Sequence, residues 1–329
     1  MVTWSRASLC DADWDAALAR LADANAFQSS AWARHKANFG WRPVRAMTGP
    51  AGAERAAVQA LVKDLPGGAR LLWSRGGPVG DSALWDAGLR ETLTREAGGV
   101  LAYGRVCSYR ALDPAAAQAL SAAGWERPTR ALDRGMTYLL GLAPEPEALR
   151  ERLSVNWRHN LKRGNERAVV ADWTDPDPAE MESVYRRLES LKGLAPQHRA
   201  DSLGSLVRAL GPSLILKRAV VDGRTVALRA CAVFGGAAVD LLAAATEEAR
   251  KVYASYSLLW SLLLESRRRG ALGYDLGGAD PDAARGVADF KKGTGARLIE
   301  TLGEWDFAVP TALRRPAGAL ISWTLGKGA

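Results

Sequence analysis

The sequence predicts an α+β chain built from two similar domains, and three observations carry that expectation. At 329 residues the chain exceeds one ordinary core and suits two domains of roughly 150 residues each. Strand-like runs are joined by glycine turns of the kind that pair neighbouring strands antiparallel. The same order of elements, an antiparallel meander and then helix, strand, helix and strand, is read twice along the chain.

In the first half, Ser29 and Ser30 suit the cap of a helix running from about Trp32 to Phe39, and a strand follows over 43–47. Strands over 56–65 and 70–73 are joined through Pro66-Gly67-Gly68, a turn signal. A helix over 82–97, a strand over 100–106, a helix over 114–123 and a strand over 136–140 follow. The second half opens with a helix over 147–163 and another over 179–192. Strands over 214–221 and 225–234 flank Asp222-Gly223, a strong hairpin signal, and Gly235-Gly236 turns the chain into a third strand over 237–244. A helix over 254–269 stops at Gly270; a strand over 272–276, a short helix and a last strand over 298–307 complete the half. The expected domains are therefore 1–142 and 143–310, each a mixed, mainly antiparallel sheet flanked by helices, with a helix over 311–329 returning to the first. That tail sets Arg314, Arg315 and Lys327 beside Leu320, Ile321 and Trp323, which fits a docked terminal helix and also a peripheral membrane contact.

Apolar content of 48% with 24% charged residues is that of a globular protein, and no apolar run approaches the roughly 20 residues that span a bilayer. The N-terminus leads into Asp11, Asp13 and Asp15 rather than an apolar signal segment, so a cytoplasmic location is expected. Cys10, Cys107 and Cys231 are far apart and odd in number, which argues for a reducing compartment; with only His35, His159 and His198 beside them, no metal site is expected. Lys and Arg number 44 against 36 Asp and Glu, a net charge of +8 that favours polyanionic partners such as nucleic acid, nucleotide diphosphates or an anionic membrane face.

Two neighbouring segments are the richest in chemistry. Tyr274-Asp275-Leu276-Gly277-Gly278 is a strand running into glycines, and Asp289-Phe290-Lys291-Lys292-Gly293-Thr294-Gly295 brings a lysine pair back before another glycine turn. Glycines let a ligand approach the backbone, and a lysine returning there can meet an oxyanion or a phosphate. The same pattern fits a strand end, a turn and a solvated lysine pair. Along 153–163, Leu153, Trp157 and Leu161 form one stripe and Arg158 and Lys162 the next. That basic stripe suits a polyanion, and equally an exposed face with cations near a helix C-terminus.

Three scattered histidines give no Ser-His-Asp or Cys-His arrangement. A GCN5-related acetyltransferase would hold its acyl-CoA pyrophosphate on a glycine-containing turn where the second meander meets its helix. Here that junction, 245–256, contains no glycine and two acidic residues, and Arg/Gln-x-x-Gly-x-Gly/Ala occurs nowhere in the chain. This counts against acetyl-CoA, and no cofactor is expected. If the acceptor brings its own amine and the donor is an activated ester, the protein has to position the two and stabilise the tetrahedral oxyanion, with Lys291 the best candidate.

Together these segments resemble the Fem family (FemABX-like) of peptidoglycan bridge-forming aminoacyltransferases. The resemblance is carried by Gln28-Ser29-x-x-Trp32-x-x-x-Lys36-x-x-x-Gly40-Trp41, by Arg75-Gly76-Gly77-Pro78-Val79, and by Asn156-Trp157-Arg158-x-Asn160-Leu161-Lys162. The segments from Tyr274 and Phe290 and then Gly303-Glu304-Trp305-Asp306 complete it, in family order from 28 to 306. It implies two tandem GCN5-related acetyltransferase-like domains with a cleft between them and, at this chain length, no coiled-coil arm. It also implies aminoacyl-tRNA as donor and an amine of a peptidoglycan precursor as acceptor. By position Lys291 matches the oxyanion-stabilising lysine with the Phe290 carbonyl nearby, while Lys36 and Arg199 match ligands of the precursor's diphosphate. Trp32, Tyr256, Asp275 and Gly277 complete the expected substrate-binding set, and Arg158 and Lys162 the expected tRNA or phosphate contacts. Two departures concern the acceptor: Arg105-Val106-Cys107-Ser108 lacks an aspartate found in the family's Arg-x-Asp-Pro run, and Leu203 stands where a tyrosine is common. Two alternatives follow: an aminoacyl-tRNA-dependent tailoring enzyme acting on a small peptide or natural product, and a non-catalytic module that binds tRNA or a nucleotide sugar.

Overall fold

The computed structural model describes residues 3–50, 52–98, 100–278 and 284–325, so Lys327 of the expected tail lies outside the described residues. The chain forms two units, Met1–Thr137 with Ile299–Ala329, and Tyr138–Leu298. The first begins with β1 (Ser5–Arg6), α1 (Asp11–Ala19) and α2 (Ser30–Ala37), which starts where the Ser29 hydroxyl accepts the Trp32 N–H at 3.3 Å. A meander of β2 (Arg42–Thr48), β3 (Ala56–Asp64) and β4 (Ala69–Arg75) follows, with β5 (Val79–Gly80) beside β3. Then α3 (Ala87–Ala97) carries the chain to β6 (Leu101–Ala111), parallel to β4, and α4 (Pro114–Ala122) closes this stretch.

Next come β7 (Met136–Gly141), α5 (Pro146–Arg152), α6 (Val155–Arg167), β8 (Val169–Asp172), α7 (Pro178–Lys192) and α8 (Ala200–Leu210). The second meander is β9 (Leu214–Val221), β10 (Arg224–Phe234) and β11 (Ala237–Ala245). Its first turn places Asp222 and Gly223 at φ of 48° and 75°, as a two-residue hairpin with left-handed centres requires. After α9 (Glu247–Lys251), the long helix α10 (Ala254–Arg268) crosses to β12 (Gly273–Asp275), parallel to β11, and α11 (Arg285–Lys292) follows. The chain ends in β13 (Arg297–Val309) and α12 (Arg314–Leu325).

The two sheets repeat one pattern. In the first unit β1, β2, β3 and β4 are antiparallel neighbours, β6 joins β4 in parallel, and β13 runs antiparallel to β6. In the second, β8, β9, β10 and β11 are antiparallel neighbours, β12 joins β11 in parallel, and β7 runs antiparallel to β12. The α+β expectation of tandem, mainly antiparallel sheets flanked by helices therefore holds. Among the described residues no coiled-coil arm is present, the longest helices α7 and α10 having 15 residues, and no helix is long and apolar enough to cross a membrane.

Some details differ from the sequence reading. Residues from Ile299 on belong to the first unit, because β13 pairs with β6 from Thr301 opposite Ala111 to Val309 opposite Ala102. The helix expected over 147–163 is broken at Leu153 and Ser154, both extended, with Ser154 capping α6 through the Trp157 N–H at 3.3 Å. β8 and α8 were not foreseen, although Leu203, Leu206 and Leu210 give α8 a buried stripe. In α12, Arg314 reaches Asp306 Oδ1 at 2.8 Å and Glu126 Oε2 at 2.6 Å, ion pairs within the first unit.

The core of the second unit packs α6 and α10 onto its sheet through Trp157, Leu161, Leu259, Leu262, Leu263 and Tyr274. Gly164 lets the helices approach closely: a Cβ there would lie 2.4 Å from Ser257 Oγ and 2.8 Å from the Tyr253 carbonyl oxygen. Gly164→Ala is therefore expected to overpack this crossing and lower unfolding free energy by roughly 1–3 kcal/mol in urea titration. A change below about 0.5 kcal/mol, the size of an ordinary surface substitution, would show that the helices have room to spare.

Candidate functional site

The second unit contains a cavity of about 550 Å³ with Lys291, Phe290, Tyr256, Arg229 and Asp240 in its lining. Its chemistry begins at the turn after β12. Gly277 has φ +75°, a conformation that disfavours any side chain, and its N–H donates to Asp275 Oδ1 at 2.8 Å. This turn presents the Gly277 and Gly278 carbonyls to the Lys291 ammonium, which donates to them at 2.9 and 2.8 Å. Lys291 sits near the end of α11 and is only 7% exposed. An ammonium has three N–H donors; two are held by these carbonyls, and among the described residues nothing takes the third. Burial lowers the Lys291 pKa below 10.5; Asp240 opposes that shift and Arg229 adds to it.

Beside Lys291 three adjacent strands supply a fixed charge network. Arg229 of β10 grips Asp240 of β11 with both ends of its fork, Nε to Oδ1 at 3.1 Å and Nη2 to Oδ2 at 2.5 Å. Tyr274 of β12, fully buried, donates its hydroxyl to Asp240 Oδ1 at 2.9 Å. A cluster of rings stands next to this network: the centroids of Trp157 and Tyr256, and of Tyr256 and Phe290, lie 5.0 Å apart, and Arg229 lies 5.6 Å from the Phe290 ring. The Phe290 carbonyl accepts the Trp157 indole N–H at 3.0 Å. Trp157 thus takes one of that oxygen's two acceptor positions.

At the junction of β11 with α10, where a glycine turn would cradle a cofactor pyrophosphate, Tyr253 holds φ +60°. Its ring lies 5.4 Å from the Arg163 guanidinium and 5.9 Å from that of Arg167. Arg158 and Lys162, the expected tRNA or phosphate contacts, also have partners within the second unit. Arg158 Nη1 donates to the Glu151 and Leu153 carbonyls at 3.1 and 2.7 Å, satisfying the end of α5, and Lys162 is exposed 4.0 Å from Glu166. Arg199 precedes α8 without a side-chain capping bond, exposed and 3.7 Å from Asp201, and does not line the Lys291 cavity.

In the first unit, Trp32 and Lys36 line a separate cavity of about 240 Å³ with Trp41, Leu61, Trp73 and Arg75. Lys36 Nζ lies 4.9 Å from the Trp32 ring centre, and Arg75 stacks 4.1 Å from that of Phe27 while donating Nε to the Tyr109 hydroxyl at 2.7 Å. Burial, then the neighbouring Arg75, lowers the Lys36 pKa. Two cations with indole walls can hold an anion flanked by a flat or apolar group. Where the motifs depart from the family, Cys107 and Leu203 are both buried.

The structure thus brings Lys291, Phe290 and Tyr256 to one cavity, with Gly277 and Asp275 shaping the turn that holds the lysine. Sequence reading missed Arg229 and Asp240, although each is a charge within an apolar run. It also missed Trp73, and Arg75 and Trp41 were seen only as parts of motifs. Among the described residues no group of three or more His, Cys, Asp and Glu could hold a metal ion.

Residues 221–314 match the model of the FemAB family, a span that includes Arg229, Asp240 and Lys291. The crystal structure of FemX superposes with a TM-score of 0.81 at 16% identity, covering 96% of this chain and 99% of that one. The C-terminal domain of a putative lysylphosphatidylglycerol synthetase from Agrobacterium fabrum gives 0.57 at 15% identity, covering 95% and 98%. A tandem GNAT (GCN5-related acetyltransferase) protein from the clavulanic acid biosynthesis pathway gives 0.54 at 14% identity, covering 94% and 99%. At these identities the likeness is one of fold. No curated protein matches the sequence. The Fem resemblance and the tandem acetyltransferase-like fold both stand.

Trp157→Phe removes the indole donor and leaves the Phe290 carbonyl without it, so unfolding free energy should drop by about 1–3 kcal/mol in urea titration. Wild-type stability in this variant would mean that water or another donor replaces the indole.

Proposed function

We propose that the protein is an aminoacyltransferase that moves an aminoacyl group from aminoacyl-tRNA to an amine, with a peptidoglycan precursor peptide as acceptor. The carrying observation is the Lys291 ammonium, desolvated, fixed by two carbonyls and, among the described residues, left with one N–H for a ligand in the cavity. The match of 221–314 to the FemAB model supports the reading, as does Tyr253 standing where a CoA-binding loop would need glycine.

In the reaction the acceptor amine attacks the ester carbonyl carbon and a C–N bond forms. The carbonyl oxygen becomes an oxyanion, which the free N–H of Lys291 meets. A fixed donor in a site shielded from water stabilises such a charge without reorganising. Collapse breaks the bond to the ribose oxygen of tRNA, which takes up the proton lost by the amine, and leaves an amide. The protein forms no covalent intermediate. Lys36 and Arg75 hold the acceptor's phosphates against Trp32, Trp41 and Trp73. The reaction runs in the cytoplasm, where charged tRNA is found, and needs no metal or cofactor.

Purified protein mixed with charged tRNA and candidate amines should form the amide, and Lys291→Ala should lower kcat about 10²–10³-fold with little change in KM, the effect of removing one oxyanion donor. Full activity in the variant, or transfer from acetyl-CoA and not from charged tRNA, would overturn the proposal. The active form carries protonated Lys291, and burial lowers its pKa. The rate should therefore fall as pH rises through a pKa below 10.5. Lys291→Arg should lose that limb, because a guanidinium stays charged there.

A further inference from the structure

Charge in the Lys291 cavity is lopsided. Lys192, Arg229, Arg250 and Lys291 line it against a single carboxylate among the described residues, Asp240. Lys192 and Arg250 are exposed, where water and salt screen them. Arg229 and Lys291 are buried, and the Asp240 side chain is only 10% exposed. An aminoacyl ester differs from a simple acyl ester in its α-ammonium group, so such a donor brings another positive charge to a place already holding two. In a site shielded from water that repulsion is strong, and a carboxylate is what offsets it.

Asp240 is held in one orientation. Arg229 Nε and the Tyr274 hydroxyl donate to its Oδ1 at 3.1 and 2.9 Å, and Arg229 Nη2 to its Oδ2 at 2.5 Å. A carboxylate offers about four acceptor positions. Three are filled by these bonds, and the fourth belongs to Oδ2. Lys291 bonds the Gly277 and Gly278 carbonyls, so the carboxylate is not consumed as that lysine's hydrogen-bond partner.

We propose that Asp240 accepts a hydrogen bond from the donor's α-ammonium and thereby makes the enzyme selective for aminoacyl over other acyl esters. This rests on the acyl-transfer reading above and adds a recognition residue to it. Arg229 and Tyr274 act through Asp240 as positioning residues.

The test uses the full chain, one acceptor amine, and two donors: a charged tRNA, and the same tRNA whose aminoacyl group has been deaminated with nitrous acid to the α-hydroxyacyl ester. The kcat/KM ratio of the two donors is divided by the ratio of their uncatalysed reactions with hydroxylamine, which removes intrinsic reactivity. Wild type is expected to favour the aminoacyl donor roughly 10-fold or more after that correction, the discrimination of a site built around a polar substrate group. Asp240→Asn should lose most of this preference by slowing the aminoacyl donor alone. Any effect of Asp240 on Lys291 would slow both donors together and cancel in the ratio. Equal use of the two donors by wild type, or an equal fall for both in Asp240→Asn, would overturn the proposal. If Asp240→Asn does not fold, the corrected wild-type ratio decides. Transfer from neither donor would overturn the acyl-transfer reading itself.

Discussion

Removing one ammonium from water is the constraint around which the second unit is arranged. Burying a lone charge costs several kcal/mol even after the protein relaxes, so Lys291 needs partners that leave it charged and still able to act. Two carbonyls at the Gly277 turn supply hydrogen bonds without neutralising it. Asp240 supplies opposite charge, but its own bonds to Arg229 and Tyr274 keep it from closing over the ammonium as a simple ion pair. The lysine thus keeps its charge and, among the described residues, keeps one donor.

The same shielding strengthens what that donor can do. Trp157, Tyr256 and Phe290 pack edge to face beside Arg229, and the Trp157 indole ties the backbone of α11 to α6. With less water nearby, a charge–dipole contact is stronger than at the surface. The first unit repeats the sheet pattern and uses it differently. Its cations, Lys36 and Arg75, stand among indoles, an arrangement suited to binding an anion and not to stabilising one that forms during reaction. One architecture supports both, because chemistry resides in the side chains that a sheet presents and not in the sheet.

Much of the fold was legible because its punctuation is local. Asp222-Gly223 and Gly235-Gly236 take positive φ, and the meander they set follows from the two turns alone. Lys291 was legible because glycines flank it in sequence as well as in space. The break at Ser154 was legible in principle, as a serine three residues before Trp157, but the continuous apolar stripe of 153–161 outweighed it. Arg229 and Asp240 show the opposite case: each stands out in its strand, yet their pairing across 11 residues depends on the strand register, which shifts between Ala230 and Cys231. The contact of the Arg158 guanidinium with the end of α5 was hidden for a similar reason, since it forms only once the helix has broken there. The aromatic cavity of the first unit draws on α2, β3, β4 and the turn at Trp41, a convergence that no local pattern encodes.

The central claim is that Lys291 stabilises a tetrahedral oxyanion more than it binds the planar ester. It is tested most directly by calorimetric titration with a phosphonate that joins a 3′-terminal adenosine to the acceptor amine, a stable mimic of the tetrahedral state. Wild type should bind this compound about 10²-fold or more tightly than it binds the matching planar amide, and Lys291→Met should lose that difference while binding the amide as before. Equal affinity of wild type for the two compounds, or an advantage that survives in Lys291→Met, would contradict the account.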